Sequence, residues 1–309
     1  MIIIIRKKAA LLLAAGGLLL AITALLLLRM PSLTTFATPD TEAVPLPIIM
    51  YHSILKSNSA QGTYVISPDV FEADIKYLQE HGYTTVFVSE VVAYVESGQP
   101  LPEKPVILSF DDGNLNNLTY IVPLLEKYGM KAVISVVGEF VEQAVAEDDH
   151  NPAYAYLTWE EICLALESGL VEIGNHTFAL HSTGGRRGAS PRQGETQEEF
   201  QQFLRQDLQK LQDNLKEYCN LTPIVFVYPY GLIHPDSLDV VKSLGFKASF
   251  SCNEEINYIT RNANCLFCLG RYNRPAGIST AAFMKKIEAR GGKLEAGGYP
   301  ITNPITGSR

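Results

Sequence analysis

Two adjacent carboxylates at the end of an apolar segment are the residues of this sequence that most clearly offer chemistry. Residues 106–110 (VILSF) are followed at once by Asp111, Asp112 and Gly113. Neighbouring carboxylates repel each other, so a cation or a metal ion usually neutralises one of them, and a glycine permits a sharp turn behind them. The same tripeptide can also be an ordinary turn after a strand. The Asp-Asp-Gly tripeptide is therefore either a simple turn or a catalytic base next to a metal ligand, and the other motifs of the sequence distinguish these two interpretations.

Two histidines after another apolar segment form a second group of candidate ligands. His176 and His181 flank a short loop behind residues 170–174 (LVEIG). Neutral imidazole binds zinc, cobalt, nickel or iron, and a carboxylate completes the set. Three protein ligands with open positions are typical of a catalytic metal site. The two histidines and one carboxylate of the Asp-Asp pair are therefore a candidate site for a divalent metal ion.

Helices and strands that alternate along the chain can position these side chains. Four predicted helices end in glycine and a strand begins one or two residues later, in HGYTTV, YGMKAVISV, SGLVEIGN and LGFKASF. Such alternation indicates a parallel sheet, either closed as a barrel or open and doubly wound. Polar residues stand at the C-terminal ends of several strands, and in a barrel those ends share the face where active sites are built. We therefore predict an α/β barrel, with a last strand at 265–269.

The motifs LSFDDG, NHTFALH and VYPYG, in this order and spacing, resemble those of the polysaccharide deacetylases of the NodB-homology class, carbohydrate esterase family 4. The resemblance covers about residues 45–290. It implies a distorted (β/α)7 barrel that removes N-acetyl groups from chitin-like or peptidoglycan sugars. It also implies that Asp112, His176 and His181 bind a divalent ion, zinc first and cobalt or nickel as alternatives. Asp111 would be the general base that activates water.

The sequence departs from the common family pattern at three points. His176 and His181 are five residues apart rather than four, and Val227 stands where the family usually has an arginine. No Leu-x-His lies near the C-terminus, where the family usually keeps its general acid. The poly-N-acetylglucosamine deacetylases of biofilm formation share this histidine spacing, lack the arginine and carry an N-terminal Met-Tyr-His, which this chain has at 50–52. By this resemblance we hypothesise that His52 is the general acid that protonates the leaving amine.

Further residues receive predicted roles near the base and the sugar. Arg271, in LGRYNRP, is a candidate to replace the absent guanidinium, lowering the pKa of the base and orienting it. Arg274, in the same segment, could equally be a surface charge. Substrate contacts are predicted for Tyr51, Pro229 and Tyr230, and by the resemblance the Tyr230 N–H would help to bind the oxyanion.

The cysteines and the N-terminus bear on where the protein works. Cys252, Cys265 and Cys268 lie close enough in sequence to form one disulfide in an oxidising exterior, whereas Cys163 is expected to be a buried thiol. Residues 9–28 carry no charge and could cross a bilayer core of about 30 Å as a helix. The basic residues before them place the N-terminus in the cytoplasm. A cleaved signal peptide, which would make the protein secreted, is the alternative.

These features give a domain division and limit the function. We predict a basic stub and membrane anchor at 1–30, an extracellular linker at 31–46, a catalytic domain at 47–295 and a tail at 296–309. The net charge of −8, with four basic and no acidic side chains at 1–30, leaves −12 for the rest of the chain. Such an acidic ectodomain argues against nucleic-acid binding, which favours basic patches.

The predicted function is metal-dependent N-deacetylation of an N-acetylglucosamine polymer, either poly-N-acetylglucosamine or peptidoglycan. An inactive carbohydrate-binding module on the same fold and a deacetylase of another acetylated substrate are the alternatives. A binding module has no need of a base beside a ligand, so the retention of both aspartates and of the three histidines favours an enzyme.

Overall fold

The computed structural model describes residues 43–291. The predicted membrane anchor at 9–28, residues 31–42 of the predicted linker and the tail from 296 onwards lie outside the described residues. Within 43–291, no helix is both long and apolar enough to cross a membrane.

The described residues form strands that are mostly short and buried. In chain order these are β1 (Val44–Leu46), β2 (Ile48–Tyr51), β3 (Ser53–Ile54), β4 (Val65–Ile66), β5 (Thr84–Thr85), β6 (Pro105–Phe110), β7 (Ala132–Val136), β8 (Val171–Asn175), β9 (Val225–Val227), β10 (Ala248–Phe250), β11 (Asn257–Ile259) and β12 (Tyr272–Asn273). The central sheet has the order β10-β9-β8-β7-β6-β2-β12, β5 pairs with the start of β6, and every pairing is parallel. The α/β class is thus confirmed, and the sheet is consistent with the predicted distorted (β/α)7 barrel. Outside this sheet, β1 pairs with β11 and β3 with β4.

Helices alternate with the strands along most of the chain, and the last helix follows the last strand. They are α1 (Pro68–Glu80), α2 (Val88–Ser97), α3 (Val122–Tyr128), α4 (Gly138–Glu147), α5 (Trp159–Glu167), α6 (Gln197–Cys219), α7 (Ser237–Ser243) and α8 (Thr280–Gly291). Capping boxes start two of them, because the hydroxyls of Thr158 and Thr196 accept a hydrogen bond from the backbone three residues on. The strand predicted at 265–269 is wrong, since residues 263–266 form a 3₁₀ helix and the last strand is β12.

Strand β6 is buried on both faces, and its alternate residues belong to different cores. Leu108 and Phe110 pack in the core that helices α1 and α3 cover, whereas Ile107 packs with Val133 and with helix α2. Successive side chains of a strand point to opposite faces, so both faces of a covered parallel sheet must be apolar. A charge is costly inside such a layer. Charged side chains are therefore expected after the C-terminal end of β6 rather than within the strand.

A disulfide joins Cys163 in α5 to Cys219 at the end of α6, with their Cα atoms 5.4 Å apart. The cysteine predictions are therefore wrong: Cys163 is not a free thiol, and Cys252, Cys265 and Cys268 are the free ones. The two bridged residues are 56 positions apart in the chain and meet only because α5 and α6 pack side by side. Proximity in the sequence did not indicate proximity in space.

Removing this bridge will destabilise the domain. Replacing both Cys163 and Cys219 by alanine should lower the free energy of unfolding by about 2–4 kcal/mol, because the unfolded chain regains the entropy that the cross-link removes. Guanidinium unfolding measures the change, and Cys265→Ala, which removes a free thiol, is the matched control. An unchanged midpoint, or five reactive thiols in the denatured, unreduced protein, would contradict the bridge.

Candidate active site

The two carboxylates at the end of β6 face different partners. Asp111 is 2% exposed, and its N–H donates to the Tyr51 carbonyl in the neighbouring strand. Asp112 and Gly113 then both have positive φ, 73° and 70°. Aspartate tolerates the left-handed region better than most residues, and glycine enters it freely. This sharp change of chain direction separates the two side chains, so that each can serve its own group.

Asp111 is held by the fully buried side chain of Arg271. The Nη1 and Nη2 atoms donate to Oδ1 and Oδ2 of Asp111 at 2.6 and 2.9 Å. Nη1 also donates to the Ser109 hydroxyl at 3.0 Å, and Nε donates to the Ser251 carbonyl at 2.8 Å. Burial by itself would raise the pKa of Asp111, but the charge of Arg271 and these hydrogen bonds hold it well below its usual range. Arg271 therefore lies directly beside the predicted base.

His52 stands on the other side of Asp111. Its Nε2 lies 3.9 Å from Asp111 Oδ2, and its ring centroid lies 4.7 Å from that of Tyr64. The carbonyl of His52 accepts a hydrogen bond from Asn117, which fixes the end of strand β2. Burial lowers the pKa of His52, and the charge of Asp111 opposes that effect only in part. The ring is therefore mainly neutral at pH 7 and can take up a proton from a close donor.

Asp112, His176 and His181 form a cluster of potential metal ligands. One ligand atom from each side chain lies within 4.8 Å of the others, and Asp112 Oδ1 is 3.6 Å from His176 Nε2 and 3.2 Å from His181 Nε2. Within residues 43–291 this is the one such group of histidine, cysteine or acidic side chains. Strand ends bring it together, since Asp112 follows β6 and the histidines follow β8.

The donor set fits a divalent cation. His176 donates from Nδ1 to the Val227 carbonyl at 2.8 Å, which leaves the lone pair of Nε2 directed at the cluster. Burial lowers the pKa of His176 to about 3, so this imidazole stays neutral. Burial and the charge of Asp111 raise the pKa of Asp112 to about 7, and its buried Oδ1 accepts no hydrogen bond from the described residues. Two neutral imidazoles and one unsatisfied carboxylate oxygen suit zinc, cobalt or nickel.

The turn after β9 forms one wall of the site. Tyr230 has φ 57° and is 42% exposed, its ring centroid lies 4.7 Å from that of His181, and Pro229 before it is buried. The Tyr230 hydroxyl lies 3.4 Å from Nδ1 of His181. The exposed ring is placed to contact a ligand, whereas the role foreseen for the Tyr230 N–H stays a prediction.

Two sequence-based predictions are corrected by burial. Tyr51 does not face the site: it is 2% exposed, stacks on Phe110 and donates from its hydroxyl to Asp74 at 3.3 Å. Successive side chains of an extended segment point to opposite sides, so Tyr51, the last residue of β2, faces the core while the next residue, His52, faces the site. Arg274 is not a surface charge, because its Nε and Nη2 donate to Asp74 at 2.8 and 3.1 Å in the interior. This pair anchors α1 to the segment after β12.

Exposed or stacked aromatic rings around the site were not foreseen. Tyr64, 56% exposed, lies against His52, while Phe140 stacks on Tyr156 at 4.3 Å and lies 5.5 Å from His181. The charge of Asp112 adds to burial in raising the pKa of Tyr156, which places that ring beside the cluster as well. These aromatic residues belong to loops and a helix outside the three motifs, so only the folded chain reveals them.

Comparison with known proteins identifies the family. A family model described as polysaccharide deacetylase matches residues 98–249. A putative polysaccharide deacetylase of Bacillus subtilis, YxkH, is 30% identical over 244 residues, which cover 79% of this chain and 76% of that protein. The chain therefore belongs to the polysaccharide deacetylase family, which is a family of hydrolases.

More distant relatives and solved structures agree. The poly-beta-1,6-N-acetyl-D-glucosamine N-deacetylase of Escherichia coli K12 is 27% identical over 222 residues, 66% of this chain but only 33% of that protein, so the chain spans about a third of its length. IcaB from Ammonifex degensii has a TM-score of 0.63 at 25% identity, over 76% of this chain and 94% of that one. Streptococcus pyogenes deacetylase PplD, solved in complex with acetate, shares the fold, with a TM-score of 0.64 at 23% identity over 79% of this chain and 99% of that one.

Two substitutions of Arg271 should separate its effect on activity from its effect on stability. Arg271→Lys keeps the positive charge but loses the two-pronged contact, so we expect slower turnover and an acid limb of the pH–rate profile that moves to higher pH, because the pKa of Asp111 rises. Arg271→Met should in addition destabilise the fold by about 3–5 kcal/mol, since it leaves a buried carboxylate unpaired. Steady-state kinetics from pH 4 to 9 and chemical unfolding measure both effects. Arg205→Lys, on the exposed face of α6, is the control, and a wild-type pH profile in Arg271→Lys would count against the role.

Proposed function

We propose that this chain is a metal-dependent N-deacetylase that removes acetyl groups from the N-acetylglucosamine units of an extracellular polymer. The observation that carries the proposal is the cluster of Asp112, His176 and His181, with ligand atoms within 4.8 Å, beside an ionised Asp111. A binding module would need neither the base nor the oriented imidazoles. When bound, a divalent ion supplies Lewis-acid polarisation of the acetamide and a lower pKa for the attacking water.

Asp111 and His52 then divide the proton transfers. Arg271 keeps Asp111 ionised and fixes both of its oxygens, so the carboxylate can accept a proton from the attacking water. Because its pKa lies low, Asp111 does not retain that proton. The neutral His52 lies 3.9 Å away and can receive it, then donate it to the amine nitrogen as the carbon–nitrogen bond breaks. Acetate and a free amine are the products.

The backbone and aromatic side chains of the site would orient the sugar. The N–H of Tyr230 is the proposed donor to the developing oxyanion, a contact worth about 2.7–4 kcal/mol in comparable sites. The exposed rings of Tyr64 and Tyr230 lie beside His52 and His181, so each can stack on a sugar face. Poly-N-acetylglucosamine is the preferred substrate because it is the polymer in the names of several relatives. Peptidoglycan is the alternative.

We place the catalytic domain outside the cytoplasm, joined to the cell membrane through residues 9–28. The disulfide between Cys163 and Cys219 supports an oxidising compartment, because such bonds rarely persist in the cytosol. The domain division at 47–295 belongs to the same proposal. Secretion after cleavage of the N-terminal segment would leave the enzymatic argument unchanged.

Metal removal and a substrate panel test the function directly. Protein stripped with a chelator should release no acetate from N-acetylglucosamine oligomers, and zinc, cobalt or nickel should restore release. Asp112→Asn, which weakens one ligand, should need far more metal for the same rate. Acetate release that survives chelation would contradict metal dependence, and release only from acetylated xylan would assign the enzyme to another substrate. Sugar binding without any release would support the inactive module.

His52→Ala tests the general acid. Loss of a positioned proton donor typically costs about 10²–10⁴ in rate, so turnover should fall by that factor while the metal content and the KM for the oligomer stay near wild type. His150→Ala is the matched control, since His150 is exposed and pairs with Glu161. Near wild-type turnover in His52→Ala with metal still bound would contradict the role of His52 as the general acid.

A further inference from the structure

The loop between the candidate ligands His176 and His181 is held by a side chain from a helix: a carboxylate of α6 accepts hydrogen bonds from two backbone N–H groups of the loop. The N–H groups of Phe178 and Ala179 donate to Oδ1 and Oδ2 of Asp207 at 2.8 and 2.9 Å. Asp207 lies in α6. Both oxygens of one carboxylate thus hold two successive peptide units midway between His176 and His181.

The same loop also contacts the first turn of α4. The N–H of Gly138 donates to the Thr177 carbonyl at 3.1 Å, and that of Glu139 donates to the Phe178 carbonyl at 2.7 Å. Position 138 must be glycine, because a Cβ there would stand 2.3 Å from the Phe178 ring. Free N–H groups at a helix start seek acceptors, and the loop supplies them with two carbonyls.

The loop cannot hold this shape by itself. Thr177 has φ 75°, a left-handed conformation that a β-branched residue rarely adopts. Strained backbone of this kind persists only where the surroundings over-determine it. Asn175 accepts the Thr177 N–H at 2.9 Å, but Asn175 belongs to the strand that the loop leaves. Outside the strand, the backbone at the start of α4 and the side chain of Asp207 both hydrogen-bond to the loop. Asp207 is therefore a restraint that a single substitution can change.

We propose that Asp207 is a positioning residue, which sets the separation of His176 and His181 and thereby the affinity of the site for its metal ion. The inference rests on the proposed metal site and adds a residue outside its ligands. Lys210, one turn further along α6, places its Nζ 3.5 Å from the centroid of the Phe178 ring and secures the same peptide segment. Removing a residue that hydrogen-bonds to or positions a metal ligand typically weakens metal binding about 10–100-fold.

Asp207→Asn is the sharpest variant, because asparagine has nearly the same size but one acceptor oxygen instead of two. Its amide nitrogen would face one of the two loop N–H groups. Zinc titrated against a chromophoric chelator should show a dissociation constant raised about 10–100-fold. Turnover should recover at saturating zinc, with an unchanged KM for the oligomer. Asp213→Asn is the control, since Asp213 is exposed on the same helix and accepts a hydrogen bond from Gln209.

The outcomes separate this inference from the function on which it rests. If the wild-type protein binds zinc and Asp207→Asn binds it equally well, the positioning role is overturned and the metal site stands. If Asp207→Asn does not fold even with saturating zinc, Asp207 serves the stability of the domain and the positioning role is likewise overturned. If the wild type binds no zinc, cobalt or nickel, the proposed function itself fails.

Discussion

The buried contact between Arg271 and Asp111 is the interaction on which the rest of the site depends. It joins two residues 160 positions apart, the end of the central strand β6 and the segment that enters β12. Two charges removed from water need close mutual hydrogen bonds to be tolerated, and here the guanidinium also serves Ser109 and the Ser251 carbonyl. The pair therefore holds both the segment that enters the edge strand β12 and the proposed catalytic carboxylate, Asp111.

This contact also makes the two neighbouring carboxylates unequal. Arg271 neutralises Asp111, while the left-handed backbone at Asp112 turns the second carboxylate towards His176 and His181. With no cation of its own among the described residues, Asp112 feels both burial and the charge of Asp111, and its pKa rises to about 7. A site that raises the pKa of a carboxylate in this way favours whatever positive charge can enter it. In the proposed function, the base and the metal ligand are therefore different members of the pair.

Much of this arrangement could be predicted from the sequence, because it lies at strand ends. Glycines behind helices marked the strands, the motifs indicated Asp112, His176 and His181, and the segment LGRYNRP offered Arg271 as a candidate. The orientation of Tyr51 could not be predicted, because moving one residue along a strand turns the side chain from the core to the site, and the sequence does not show which of Tyr51 and His52 faces which. The two-residue strand β12 and the disulfide depend on tertiary packing alone. The same holds for Asp207, an unremarkable position on a polar helix until the loop that it holds is seen.

The most direct test of the account is a crystal structure of the zinc-loaded protein with an N-acetylglucosamine oligomer. We expect one ion bound by Asp112, His176 and His181, with Asp111 still held by Arg271 and turned to the acetamide carbon. His52 should then lie beside the amide nitrogen. An ion bound by Asp111, or seated instead at Cys265 and Cys268, would contradict the division of labour between the two carboxylates.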